Sequence, residues 1–343
     1  MPEVLLRAGY SPVDFLKPHL NLILPPNSKI EAINFQGYVN RAFHSVDRPN
    51  GLVVVDFTTQ KKTREKFYLF VKHHRNACGI FTNMSQIYEK LEESGQASHM
   101  PRPYLCDKDH DTIYMEYLKG TDLKYTTFLY LALSRRIKLS KLFYNIGKWL
   151  HSFHKAVSTG SSAHLSEITS SIDKKLDGTV FFNDTEKRQI RRKLAGKYNS
   201  VPDVFSLVRP HNDFALRNIM LVGQDKFVVI DWDAMLHSKF QTKAPIWNDI
   251  TTFAISILSL SRFSPLISRK DVQKLTDSFF DGYFEGESGK TDRAGYKESL
   301  YIFTLCYYLG IIGDRSMPEI YKGRVQIIYL EYLKNNLLQG KVY

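Results

Sequence analysis

The sequence from Val208 to Ala234, VRPHNDFALRNIMLVGQDKFVVIDWDA, decides how this chain is expected to fold. It contains two apolar runs of equal length, Ile219 to Val222 and Phe227 to Ile230, separated by Gly223 to Lys226. Equal apolar runs on either side of a glycine-containing turn are typical of a β-hairpin. The sequence therefore predicts two short antiparallel strands here, with polar residues at both of their outer ends.

Oxygen-bearing side chains flank the predicted hairpin. Opposed residues of an antiparallel pair lie about 4.5–5.5 Å apart, so we expect the Asn218 amide and the Asp231 carboxylate to meet at its open end. Asp213 lies upstream in a loop that begins at His211, and Asp233 provides a further carboxylate. Mg²⁺ takes few protein oxygens and completes its octahedron with water and phosphate oxygens. This order predicts phosphoryl transfer, with Asp213 as the base for a hydroxyl and Asn218 and Asp231 as metal ligands.

Three motifs in this stretch resemble those of the aminoglycoside phosphotransferase and choline kinase-like family: His211-Asn212-Asp213, Asn218-Ile219-Met220-Leu221 and Ile230-Asp231-Trp232-Asp233. The HND form is similar to the choline/ethanolamine kinase branch, and the DWD form to the general phosphotransferase branch. The resemblance implies an α+β, two-lobed protein-kinase-like fold. It also implies ATP-dependent phosphorylation of a hydroxyl on a small molecule or glycan.

The resemblance implies a division into two lobes. Residues 1–116 would form the N-terminal nucleotide-binding lobe, with an antiparallel sheet, one helix and an irregular extension over residues 1–28. Residues 117–343 would form a helical C-terminal lobe that carries the hairpin, the catalytic residues and the substrate surface. Within it, Leu142, Ile146, Trp149, Leu150 and Phe153 recur at helical spacing and predict a core helix.

Several residues of the N-terminal lobe match positions that contact the nucleotide in the family. Gly37 and Asn40 resemble a short loop that covers the phosphates, and Lys72 ends an apolar strand as a phosphate-binding lysine does. Strand residues ending at Gly120 resemble the segment that joins the lobes, where the backbone reads adenine. The adenine-contacting residues implied there are Glu116, Tyr117 and Leu118.

One position departs from the family pattern. A helix predicted over Ile80 to Ser94 should carry a glutamate that pairs with Lys72. The matching position falls near Asn83 or Met84, neither of which is acidic, and Glu89 lies more than a turn later. This leaves Lys72 without a predicted partner and keeps a non-catalytic kinase-like binding module open as an alternative. A metal-dependent phosphoesterase is the other alternative, because H-x-D and D-x-D also build two-metal sites.

Three polar features outside the central stretch are interpreted as structural. Asp249 matches a family aspartate that supports the catalytic loop, and His151 and His154 are assigned no catalytic role. The basic segment from Glu186 to Lys197 has an apolar stripe. It is interpreted as the outer face of a surface helix rather than as an anion-docking patch.

Composition limits the partners and the compartment. The net charge of +12 favours anionic partners, such as a nucleotide, a phosphorylated sugar, an anionic lipid surface or nucleic acid. We therefore expect an acceptor that is neutral, anionic or lipid-linked, with peripheral contact to a membrane surface. No stretch resembles a nucleic-acid-binding module, so we expect no nucleic-acid partner. The cysteines, Cys78, Cys106 and Cys306, are scattered and predict neither a metal site nor a disulfide framework. Thiols without a disulfide framework are typical of a reducing compartment, so a cytoplasmic protein is expected. Apolar runs such as Leu300 to Ile312 are too short to span a bilayer and predict core helices.

Overall fold

The structure, a computed structural model, describes residues 11–38, 50–133, 137–223, 225–232, 243–263, 267–285, 295–314, 334–335 and 337–339. The chain divides into two compact units. The first comprises Met1–Thr121 and Met220–Leu236, and the second comprises Asp122–Ile219 and His237–Tyr343. This division differs from the predicted lobes: the boundary lies at Thr121 rather than residue 116, and most of the hairpin belongs to the first unit.

The first unit is built around a five-stranded antiparallel sheet with strand order β1-β2-β3-β5-β4. Its strands are β1 (Lys29–Tyr38), β2 (Asn50–Thr58), β3 (Arg64–His73), β4 (Pro103–Asp107) and β5 (Thr112–Glu116). Strand β2 is buried over most of its length because it lies inside the sheet and is largely apolar, with Val53 and Val55 inaccessible to solvent. Helix α2 (Ala77–Glu93) packs against β4 and β5.

The N-terminal segment covers one face of this sheet. Helix α1 (Pro12–Leu16) begins where the Ser11 hydroxyl accepts a hydrogen bond from the Val13 N–H, and a 3₁₀ turn continues it over Lys17–Leu22. Leu16 and Leu20 are buried among the sheet residues, and the Phe15 ring stacks on Tyr114. The prediction of an irregular extension is therefore wrong for residues 12–22, where prolines at the first helical positions start the turns rather than break them.

The predicted hairpin is confirmed, although its strands are one residue shorter than the apolar runs. Strand β9 (Ile219–Leu221) lies between β10 (Phe227–Val229) and the short strand β6 (Thr121–Asp122). The Val222 N–H donates to the Lys226 carbonyl at 2.9 Å across the turn.

The second unit is mostly helical and also holds a small antiparallel sheet with strand order β11-β8-β7. Its strands are β7 (Ser158–His164), β8 (Val204–Val208) and β11 (Ala244–Pro245). Its helices are α3 (Leu123–Ala132), α4 (Ile137–Ala156), α5 (Leu165–Gly178), α6 (Asp184–Ala195), α7 (Trp247–Leu258), α8 (Leu260–Phe263), α9 (Arg269–Phe284) and α10 (Tyr296–Asp314). The α+β prediction is therefore confirmed, and the small sheet is an addition to the predicted helical lobe.

Helices α4 and α9 form a close crossing in this unit. All five apolar residues predicted to face the core from α4 are buried. A Cβ atom on Gly147 of α4 would overlap the Phe279 carbonyl oxygen, and one on Gly282 of α9 would overlap the Tyr144 carbonyl oxygen. The two backbones are therefore in direct contact at this point.

Some predictions lie outside the described residues. These are the strand expected over Arg41 to Val46, the loop residue Asn40, the second carboxylate Asp233 and most of a C-terminal helix expected from Val325 to Leu337. In the part of the chain that the structure describes, no helix is long and apolar enough to cross a membrane.

Candidate active site

The loop of residues 210–218, called the HND loop below, is attached to helix α7 of the second unit. The Asp249 carboxylate accepts the His211 N–H at Oδ2 (2.8 Å) and the Asn212 N–H at Oδ1 (2.9 Å). Farther along the loop, the Leu216 N–H donates to the Ser256 hydroxyl at 3.1 Å. A fully buried carboxylate with both oxygens bonded to backbone N–H groups fixes the loop against its helix. Asp249 therefore has the supporting position that the sequence predicted.

The backbone of the loop is unusual at Asn212. Its φ is +67°, in the left-handed region, and its side-chain oxygen accepts a hydrogen bond from the Asn248 amide at 3.2 Å. Asparagine tolerates this conformation better than most residues, and such outliers concentrate at functional sites. The turn at Asn212 is thus held by contacts from both its backbone and its side chain.

A buried histidine extends the support behind Asp249. His154 Nε2 lies 3.1 Å from Asp249 Oδ2, and its Nδ1 lies 2.7 Å from the Tyr283 hydroxyl. Because a carboxylate accepts, Nε2 is the donor in the first contact. The chain from Tyr283 through His154 to Asp249 links α9, α4 and α7 to the HND loop. His154 is structural, as expected, but no sequence signal linked it to Asp249.

We expect Asp249→Asn to lower the free energy of unfolding by about 3 kcal/mol, because one backbone N–H would face an amide nitrogen instead of a charged acceptor. Urea unfolding followed by circular dichroism measures this change. Asp203→Asn is the matched control, since the Asp203 side chain is exposed, and it should change stability little. Equal effects of the two substitutions would contradict the assigned role of Asp249.

The predicted base, Asp213, is held by two neighbours within the HND loop. Asn218 Nδ2 donates to Asp213 Oδ2 and to the Asp213 carbonyl, each at 2.8 Å, and Arg217 Nη2 contacts Oδ1 at 2.5 Å. The structure thus places Asp213 and Asn218 together. Because the Asn218 nitrogen points at Asp213, its amide oxygen lies at the opposite end of the group. An amide oxygen oriented in this way is a ligand type that suits Mg²⁺.

The first unit brings together two residues that the sequence assigned to separate roles. Lys72 of β3 and Asp231, which follows β10, form an ion pair with Nζ 2.9 Å from Oδ1. Asp231 is 47% exposed and has a φ of +66°. Asn212 and Asp231 are thus two motif residues whose backbones adopt the left-handed conformation.

The positions of helix α2 that match the family glutamate, Asn83 and Met84, carry no acidic side chain. Asn83 and Met84 lie on the buried face of the helix, and Glu89 is exposed. Lys72 nevertheless has an acidic partner, Asp231. The sequence predicted no partner for Lys72, and the structure supplies a carboxylate from a residue far along the chain.

The segment expected to read adenine continues from β5. The Glu116 N–H donates to the Arg102 carbonyl at 2.8 Å, and the Tyr117 N–H donates to the Tyr68 carbonyl at 3.4 Å. The N–H groups of Glu116 and Tyr117 are therefore engaged by backbone carbonyls of the first unit. Gly37, which the family resemblance places in a loop that covers the phosphates, lies in β1. It is opposite Gly51, near the end of the strand.

The basic helix α6 is partly neutralised by its neighbour α5. Arg191 contacts Asp173 at 2.9 Å and Asp177 at 2.7 Å. Ile190 and Leu194 are buried, as the apolar stripe predicted. These contacts agree with the interpretation of α6 as the outer face of a surface helix.

Known proteins were compared with this chain at the levels of sequence and structure. No family model matches the chain, and no curated protein matches it. Solved structures similar to it include a choline/ethanolamine kinase family protein from Mesorhizobium loti, with 12% identity over 94% of this chain and 93% of that chain and a TM-score of 0.48. The choline kinase LicA from Streptococcus pneumoniae is similar at 12% identity over 95% and 97% of the two chains, with a TM-score of 0.46. The ADP-bound aminoglycoside phosphotransferase APH(2'')-Ib is similar at 16% identity over 95% and 97%, also with a TM-score of 0.46.

The sequence did not indicate Arg217 as a neighbour of Asp213, although a spacing of four residues is the usual distance for an ion pair in helical turns. Within the described ranges there is no cluster of three or more His, Cys, Asp or Glu residues that could hold a metal ion.

Proposed function

We propose that this chain is an Mg·ATP-dependent phosphotransferase that phosphorylates a hydroxyl of a small molecule or glycan. The observation that carries the proposal is the HND loop. Its Asp213 carboxylate is held by Asn218 and Arg217, and its backbone is fixed by buried Asp249. Phosphoryl transfer depends on positioning more than on covalent chemistry, so a base on a rigid loop suits this reaction.

Asp213 is the proposed base. Its side chain is 24% exposed, which leaves the carboxylate accessible to an acceptor. The Arg217 side chain is 57% exposed and can leave Asp213 Oδ1, so that an acceptor hydroxyl donates to that oxygen and transfers its proton there. Asn218 would keep Oδ2 in place during this exchange. The loop therefore orients the hydroxyl before the proton moves.

Asn218 and Asp231 are the proposed ligands of Mg²⁺, an assignment that rests on the residue order of the motifs. The donor types fit, because an amide oxygen and a carboxylate are hard oxygen ligands. Bound Mg²⁺ would supply charge neutralisation for the phosphate oxygens. Lys72, which contacts Asp231 at 2.9 Å, would exchange part of this contact for the nucleotide phosphates.

The acceptor is proposed to be neutral or anionic, because a chain with a net charge of +12 repels cations. We expect kcat/KM for the true acceptor to fall about 10-fold between 0.1 and 0.5 M salt, as the Debye length shrinks from about 10 to about 4 Å. The turnover number at saturating acceptor should stay constant, since screening affects capture only. An efficiency that rises with salt would indicate a cationic acceptor such as choline or an aminoglycoside.

The direct test is incubation of the full chain with γ-labelled ATP and Mg²⁺ in the presence of acceptor pools. The pools contain amino alcohols, aminoglycosides, sugars and nucleosides, and a parallel reaction contains phosphoesters without ATP. Transfer of label to an acceptor supports the proposal. Phosphoester hydrolysis would indicate the phosphoesterase alternative, and the absence of both reactions would indicate a binding module.

A further inference from the structure

Two cysteines that are separated in the sequence lie together in the first unit. Cys78 Sγ is 2.9 Å from Cys106 Sγ, and the two residues are 28 positions apart. Cys78 lies in the first turn of α2, and Cys106 lies in β4. Both are free and partly buried. The sequence predicted scattered thiols, whereas the structure brings this pair to within about 1 Å of the length of a disulfide bond.

The two sulfurs connect a helix to a row of strand residues. Cys106 is paired with Ile113 of β5, and Ile113 is paired with Lys72 of β3. Directly opposed residues in antiparallel strands project from the same face of a sheet. Since Cys106 contacts Cys78 of α2, this is the face on which α2 packs.

We propose that Cys78 and Cys106 form a redox-modification site, at which a peroxide converts the two thiols into an intramolecular disulfide. The bond would join the start of α2 to β4. It would link helix α2 covalently to the cross-strand row of paired residues Cys106, Ile113 and Lys72. A thiol-based reductant would reverse the reaction by thiol–disulfide exchange.

The order of the steps follows from the surroundings of each thiol. Burial and the adjacent Cys78 raise the pKa of Cys106 to about 12, which disfavours its thiolate. Cys78 lies in the first turn of α2, and we assign the first attack to it.

The reaction balances in two steps. The Cys78 thiolate attacks one peroxide oxygen and breaks the O–O bond, giving a sulfenic acid and hydroxide, which takes up the proton released by Cys78 to form water. The Cys106 sulfur then attacks the sulfenic sulfur, and its proton leaves with the sulfenic hydroxyl as a second water. Two thiols and one peroxide thus give one disulfide and two waters.

The test is an alkylation count on the full chain. The reduced protein, unfolded and treated with N-ethylmaleimide, should take up three labels, one for each cysteine. After treatment with hydrogen peroxide, we expect one label, at Cys306, and a tryptic peptide pair joined through Cys78 and Cys106. Dithiothreitol should restore all three labels.

Single variants give a second measurement. Cys306→Ser is the matched control and should form the same cross-link, since Cys306 lies in α10 of the other unit. Cys106→Ser should stop at the first step, with a sulfenic acid at Cys78 that dimedone traps. Three labels after oxidation of the wild-type chain, a cross-link between two chains or a cross-link through Cys306 would each overturn the proposal.

Discussion

Replacement of Asp213 with Asn is expected to lower the turnover number by about 10²–10⁴-fold, the usual contribution of a positioned general base. Asparagine has the shape of aspartate, but its amide accepts no proton at the pH of the assay. One contact also changes, because the Asn218 nitrogen now donates to Asp213 Oδ2 at 2.8 Å. The turnover number is measured with labelled ATP and the acceptor found in the pool experiment.

Two further measurements assign this loss to the base. The thermal unfolding temperature and the affinity for Mg·ATP should stay near those of the wild-type chain, because the loop is held mainly through Asp249. Asp203→Asn introduces the same chemical change at an exposed site and should keep full turnover. Near-normal turnover of Asp213→Asn would remove Asp213 from the proposed role.

Replacement of Asp231 with Ala is expected to abolish Mg²⁺-dependent nucleotide binding. The substitution removes a proposed metal ligand and leaves Lys72 without the carboxylate that it now contacts at 2.9 Å. Titration calorimetry with ATP, with and without Mg²⁺, measures the effect. In the wild-type chain, Mg²⁺ should tighten ATP binding, and in Asp231→Ala it should make no difference.

Two companion variants separate the metal from the ion pair. Lys72→Met removes the ion-pair partner but keeps the proposed metal ligand, so ATP binding should weaken while its dependence on Mg²⁺ persists. Asp233→Ala should be milder than Asp231→Ala for metal affinity. If Asp233→Ala proved the more damaging, the metal assignment along this strand would be wrong.

The features that the sequence predicted well are local. The β9–β10 hairpin follows from two apolar runs around one turn, and helix α4 follows from apolar residues at helical spacing. The HND motif predicted that Asp213 and Asn218 act together, and the structure brings them into contact. Asp249 was predicted through the family resemblance, since its own sequence context shows only an acidic residue before an apolar helix.

The features that the sequence could not predict depend on contacts between distant residues. Lys72 and Asp231 are 159 positions apart, and His154 and Asp249 are 95 positions apart. No periodicity or spacing records such pairs, because they depend on how whole elements pack. Strand β7 was missed for another reason: it is a polar segment, STGSSAH, without the alternation that indicates a strand.

Substitutions at the crossing of α4 and α9 are expected to disturb the hydrogen bonds that support the HND loop. Gly147 and Gly282 admit no side chain there, because a methyl group at either would occupy the volume of a carbonyl oxygen on the other helix. A larger residue would push α9 outward and withdraw the Tyr283 hydroxyl from His154, which lies 2.7 Å away. The absence of side chains at Gly147 and Gly282 therefore sets the helix separation that keeps Tyr283 in contact with His154, and through His154 with Asp249.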